Sequence, residues 1–212
     1  TDIIRAIERT ITDAGFTMVM QQIGTCDDEV KCGAVMEREK RLQGIVFLGG
    51  RFDYTPADLA MLNVPFVCCS YSNRYGTLIE GEYSSVSIAD GDTAQQAVEE
   101  LYRHGHRRIA ALISRPDDQS ISQLRYEGYI QALESHGIPV DPELVICTGG
   151  FGAKDAYRAV QEKMAENVDF TALFAIADSM AIGAMRALMD AARRIPEDCS
   201  VIAIDGLELS AY

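Results

Sequence analysis

The sequence predicts an α/β fold made of two doubly wound parallel-sheet subdomains. Three observations carry that prediction. Short apolar runs recur along the chain, and segments of helical period separate them. Those separating segments are about three turns or longer, the length of a βαβ crossover. The later runs end on small or acidic residues: RIAALIS at Ser114, LVICTG at Gly149, ALFAIA just before Asp178, and SVIAID at Asp205. In such sheets ligands bind outside the carboxyl ends of the strands. A carboxylate that would be costly inside the sheet can meet a polar ligand there.

Taken in order, Ile3, Ile4, Ile7 and Ile11 fall on one helical face, and Gly15 ends that helix. FTMVMQQI (16–23) reads as a strand and 28–41 as a mostly polar helix. GIVFLG (44–49) is a strand, TPADLAML (55–62) a short helix and PFVCCS (65–70) a strand. The polar stretch 71–83 is a loop long enough to suggest a function of its own. SSVSIA (84–89), a helix at 92–103 and the punctuating HGHRR (104–108) follow. Strands at 108–114, 144–149, 172–177 and 200–205 then alternate with helices at 121–136, 153–166 and 179–192. The expected subdomains are 1–105 and 106–212.

Composition narrows the function classes. At 212 residues and 48 % hydrophobic, the chain can bury a full core. No apolar run approaches the 18–20 or so residues that span a bilayer, and no secretory leader is visible at the start of the sequence. The formal net charge of −13 opposes direct binding to phosphate backbones. Six cysteines are spread without CxxC spacing, so they read as reduced thiols of a cytosolic protein. Cys68, Cys69 and Cys147, inside apolar runs, read as small hydrophobes.

Catalytic and cofactor signatures are missing. GGFG (149–152) fails the GxGxxG spacing because Asp155 stands at the third glycine, and no GxxxxGK[ST] occurs. His104 and His106 flank Gly105, which favours a turn with a hydrogen-bonding role over a metal site. No GxSxG elbow is present. Asp117 and Asp118 read as solvated loop carboxylates. These readings predict no enzyme, no cofactor and no metal. Asp178, ahead of an apolar helix, has an N-cap as its default role and ligand contact as the alternative. Arg125 lies near the inward stripe Ile121, Leu124, Gly128 and Leu133, so its guanidinium can reach the mouth where Asp205 sits; a surface arginine is the other reading. Phe151 is either a rim residue or a ring presented to a ligand.

GHRRIAALIS (105–114), the S-x-x-R-x-x-GY pattern at 122–129, GGFGAKDAYRAV (149–160) and TALFAIADSMAIGAMRALMDAARRIPEDCSVIAIDG (171–206) together resemble the effector-binding core of LacI-type transcription regulators. QGIVFLGG (43–50) and NVPFV (63–67) extend the likeness into the first half. The resemblance implies a periplasmic-binding-protein-like (type I) fold truncated at both ends, without the first core strand, the helix-turn-helix headpiece or the final crossover. It implies Arg125 as a ligand-clamping arginine, Asp205 as the strand-end acceptor, Phe151 as the pocket aromatic and Gln119 at the rim. Asp90 and Asp92 are candidates from the first subdomain. Ala177 stands where the lactose repressor has asparagine, removing one polar contact.

These implications describe a cytoplasmic, homodimeric sensor of a small molecule. A sugar is the first choice of ligand, and a nucleobase or sugar phosphate the alternatives. Operator DNA would be met through a headpiece outside this chain. The competing reading is a periplasmic sugar-binding protein of a transport system, which shares the fold.

Overall fold

The computed structural model describes residues 2–24, 28–79 and 81–208. Two parallel sheets organise it. The first contains β1 (Ile45–Leu48), β2 (Phe66–Cys69) and β3 (Ser84–Val86) in that spatial order. The second contains β4 (Ile109–Ile113), β5 (Val145–Cys147), β6 (Ala172–Ala175) and β7 (Ser200–Ala203), in the order β5-β4-β6-β7. β4 pairs with both β5 and β6, with Ala111 beside Val145 on one edge and Phe174 on the other. The chain therefore leaves β4 in one direction and later returns past it. In open parallel sheets such a reversal is where ligands bind, at the carboxyl ends of the central strands. Every residue of β4 and β6 is buried, the pattern of strands covered on both faces.

The helices are α1 (Asp2–Asp13), α2 (Glu29–Lys40), α3 (Pro56–Leu59), α4 (Asp90–Arg103), α5 (Ile121–Ser135), α6 (Ala153–Ala165) and α7 (Asp178–Asp190). Local chemistry sets their ends. Thr55 and Asp58 form a reciprocal capping box on α3. Ser120 caps α5, its hydroxyl accepting from the Ser122 amide at 3.0 Å. Leu124, Gly128 and Leu133 of the expected inward stripe are buried, and Ile121 is half-buried. Among the described residues no helix is long and apolar enough to cross a membrane.

Packing departs from the expected division near residue 105. Ala94, Val98 and Leu101 of α4 join the cluster built on β4 and β6. The sequence alone leaves α4 with the first sheet because it precedes the HGHRR punctuation. Its apolar stripe instead finds α5, where Gly128 permits close approach: a Cβ there would stand 2.2 Å from the Gly91 carbonyl oxygen. A second cluster gathers Phe47, Phe52, Tyr54, Cys68 and Tyr71, and takes Leu124 of α5 as its link to the other half.

The predicted strand 16–23 is not paired into either sheet. A strand needs a neighbour for its backbone groups. Here a groove of about 1840 Å³, lined by Ile4, Ile7 and Ile11 of α1, separates residues 16–24 from the outer edge of β1. Phe16, Val19 and Met20 are consequently exposed. Cysteine burial is also uneven: Cys68 is buried and Cys69 half-buried, but Cys147 is exposed rather than a core hydrophobe. Cys26 lies outside the described residues.

Residues 104–108 have a hydrogen-bonding role. His106 bridges the Thr171 hydroxyl at 2.9 Å and the Ser200 hydroxyl at 3.0 Å, joining the amino ends of β6 and β7 to the approach of β4. His104 contacts the Glu100 carbonyl oxygen at 2.9 Å across the end of α4.

Candidate functional site

Arg125 sits in the second turn of α5, and Asp90 opens α4 just beyond the first sheet. The Arg125 Nε donates to Asp90 Oδ1 at 2.8 Å. Its Nη1 donates to the Ile176 carbonyl oxygen and lies 3.4 Å from Asp205 Oδ1. One guanidinium thus gathers the ends of β6 and β7 and the start of α4. Arg125 and Asp90 are buried, whereas the Asp205 side chain keeps 39 % of its accessible surface. A single cation between two carboxylates leaves this trio with one net negative charge. The Arg125–Asp90 half is buried, and the Asp205 half faces solvent.

Asp205 has φ 132°, a region that side-chain-bearing residues rarely occupy and that costs about 1–3 kcal/mol. Such an outlier persists only where surrounding bonds hold it. Asp178 supplies one of them. Its amide donates to the Ile204 carbonyl at 2.9 Å, and its carboxylate accepts from the Leu207 amide at 2.6 Å. Asp178 is therefore the first residue of α7 rather than its cap. Ala177 occupies the N-cap position and contributes no side-chain bond. The carboxylate clamps the turn that presents Asp205.

The other expected residues stand apart from the trio. Phe151 follows the end of β5 with an exposed ring, and its carbonyl accepts from the Ser179 hydroxyl at 2.7 Å beside Asp178. Gln119 is exposed with φ 49°, its amide donating to Gln123 Oε1 at 3.0 Å. It borders the large groove together with Gly49–Phe52, and Asp118 accepts from the Ser120 amide at 3.2 Å. Asp92 is exposed and lines a smaller polar hollow.

That hollow, about 550 Å³, lies at the carboxyl ends of β2 and β3, with Asp90 and Gly128 in its wall. Tyr71 and Tyr83 meet edge to face there with centroids 5.5 Å apart. The Tyr71 hydroxyl donates to Asn73 Oδ1 at 2.7 Å, and burial pushes its phenol well above the ordinary range, so it remains a donor. Sequence reasoning missed Tyr71, Asn73 and Tyr83. The one available signal was the unusual length of the 71–83 connection.

Residues 98–212 match the family model described as a periplasmic binding protein-like domain. The chain belongs to that family. It is similar to transcriptional regulators: it is 34 % identical over 210 residues to the HTH-type transcriptional regulator MalR of Clostridium butyricum, covering 97 % of this chain and 61 % of that protein. It is 29 % identical over 211 residues to the HTH-type transcriptional repressor CytR of Escherichia coli, covering 100 % of this chain and 60 % of that one. A crystal structure of a sugar-binding LacI-family regulator from Escherichia coli, complexed with phosphate, matches with TM-score 0.79 and 26 % identity over 99 % of this chain and 73 % of that one. The chain thus spans about three fifths of the length of these curated relatives. The Arg125 cluster lies just beyond the carboxyl ends of β6 and β7.

Proposed function

We propose that this chain is the effector-sensing core of a cytoplasmic, DNA-binding transcriptional regulator. It binds a small polar molecule, a sugar in first place, between two subdomains whose strand ends face one another. The observation that carries the reading is the convergence of Arg125, Asp90 and Asp205 from three separate parts of the chain, with Asp90 in the wall of an open hollow. The contacts within the trio engage Nε and Nη1, and the N–H pair on Nη2 is the part of the fork they leave for a ligand oxygen. Asp205 accepts from an adjacent hydroxyl. A vicinal diol satisfies both groups at once. Asp178 shapes the site through its turn, Asp92 lines the same hollow as Asp90, and Phe151 and Gln119 lie farther from the trio.

No bond need be made or broken. A ligand that prefers one relative placement of the subdomains shifts the population toward it. In a homodimer that shift changes the spacing of attached DNA-binding headpieces. The kinship with MalR and CytR supports operator DNA as the macromolecular partner. The acidic body supports contact through another part of the protein. A thermal-shift screen of sugars, sugar phosphates and nucleobases against the intact protein tests the reading, because a ligand that binds only the folded state raises the melting temperature, increasingly so as its concentration exceeds its Kd. Stabilisation by a neutral sugar that disappears in Asp205→Ala is expected. Equal stabilisation of the wild type and of that variant overturns the assignment.

A further inference from the structure

The long 71–83 connection also ties the first half of the molecule to α5, and its Arg74 shares the wall of the polar hollow with Asp90 and Glu127. Its first part is fixed to the first half of the molecule. The Tyr75 amide donates to the Phe52 carbonyl at 3.0 Å, and the Thr77 amide donates to the Tyr54 carbonyl at 3.0 Å. Gly76 passes so close to Tyr54 that a Cβ there would stand 2.3 Å from its carbonyl oxygen. Asn73 Nδ2 braces the far side by donating to the Leu78 carbonyl at 3.3 Å. From this braced loop, Arg74 Nη2 reaches Glu127 Oε2 on α5 at 2.9 Å. The Tyr75 hydroxyl lies 3.4 Å from the other oxygen, Oε1. Burial, with the negative Glu127 second, holds the Tyr75 phenol above its ordinary range, so it stays protonated.

Glu127 follows Arg125 by two residues. At about 100° per residue the two side chains leave α5 on opposite sides. The helix is therefore gripped from both: Asp90 and Asp205 through Arg125, and the 71–79 loop through Glu127. The outer grip continues along the helix. Gln123 Nε2 donates to Glu127 Oε1 at 3.2 Å, and Gln123 Oε1 accepts from the Gln119 amide at 3.0 Å. A hydrogen-bonded line thus runs from the loop to Gln119, the left-handed residue just ahead of the α5 cap.

We propose that Arg74, Tyr75 and Glu127 are positioning residues that fix α5, and with it Arg125, relative to the first sheet. The importance of Arg125 rests on the sensor reading above, but the mechanical claim does not, so it is tested without ligand. In the intact protein, spin labels on ketone-bearing side chains replacing Glu39 (on α2) and Glu162 (on α6) report the separation of the two halves. Arg74→Ala is expected to broaden that distance distribution. It is also expected to speed amide exchange at residues 119–123 about threefold, the scale of a partly exposed ion pair. The charge swap Arg74→Glu with Glu127→Arg is expected to restore the distance distribution but not the exchange at 119–123, because arginine at 127 accepts nothing from Gln123. An unchanged distribution and unchanged exchange in Arg74→Ala overturn the proposal. A swap that fails to restore the distance distribution overturns the ion pair as the cause. Loss of ligand stabilisation with these mechanics intact would instead count against the sensor reading alone.

Discussion

Arg125 Nη1 lies 3.4 Å from Asp205 Oδ1 across 80 residues of sequence, while its Nε holds Asp90 at 2.8 Å. The two carboxylates occupy different environments, and that difference separates their roles. Asp90 is buried with the guanidinium and orients it. Asp205 is partly open and can trade its long contact with Arg125 for a ligand hydroxyl.

The first prediction concerns Asp205. Replacing it with alanine removes a charged acceptor from the site and is expected to weaken ligand binding by about 2–4 kcal/mol. Titration calorimetry with a ligand found by thermal shift measures this directly. Glycine at the same position also removes the carboxylate, but it relaxes a φ of 132°. Relief of strain worth about 1–3 kcal/mol exceeds a half-exposed ion pair worth about 0–1 kcal/mol. Asp205→Gly should therefore bind poorly while unfolding at higher urea than Asp205→Ala. The opposite order would show that the backbone at 205 is not strained.

A second prediction separates stability from binding at the buried pair. Arg125→Ala leaves the Asp90 carboxylate buried without its counter-ion, which costs about 3–5 kcal/mol. Replacing both members with apolar residues, as in Arg125→Met with Asp90→Leu, removes the uncompensated charge. Equilibrium unfolding should show the double variant recovering most of the lost stability, and calorimetry should show no recovery of ligand binding. If the double variant is as unstable as Arg125→Ala, the pair contributes through packing rather than charge.

Much of this was legible in the residues, for identifiable reasons. Periodicity placed the strands of the second sheet because each is a short apolar run closed by Ser, Gly or Asp at its carboxyl end. The pattern around Arg125 left a surface arginine and an inward one equally open; the structure buries it against Asp90, a contact between distant segments that no periodicity announces. Residues 16–23 failed because a strand-like pattern reports side-chain fit, whereas pairing needs a neighbour that the pattern cannot supply. The allegiance of α4 failed for a related reason: an apolar stripe names a buried face without naming what covers it. The Arg74 contact with Glu127 spans two polar segments that carry no periodic signal.

A third prediction follows from the contact of α4 with α5. Gly128→Ala inserts a methyl group 2.2 Å from the Gly91 carbonyl oxygen and 2.9 Å from the Ala94 Cβ. Backbone must give way, at a cost of about 1–3 kcal/mol for an overpacked core and more if the helices separate. Gly91 adjoins Asp90, so the shift also draws that carboxylate from Arg125. Chemical denaturation should show the loss of stability, and ligand affinity should fall with it. Normal affinity in a destabilised Gly128→Ala would show that the helix contact and the site are independent.

The last prediction is a pH dependence set by His106. Burial, and secondarily the neighbouring His104, hold its imidazole below the ordinary pKa of 6.5. In the unfolded chain the ring protonates near 6.5, while in the fold it resists until lower pH. Below 6.5 the unfolded state therefore binds more protons, so stability rises with pH there. The contribution is fully present above 6.5 and is lost as pH falls through the depressed value. Asp28, Asp58, Asp190 and Asp198 all have pKa values lowered from 3.8 by hydrogen bonds and nearby cations. Their titration lies well below this window. Melting temperatures measured from pH 7.5 down to 5 should decline in the wild type and decline less in His106→Gln, whose amide can still bridge Thr171 and Ser200. Parallel curves for the two proteins would assign the acid sensitivity to some other group.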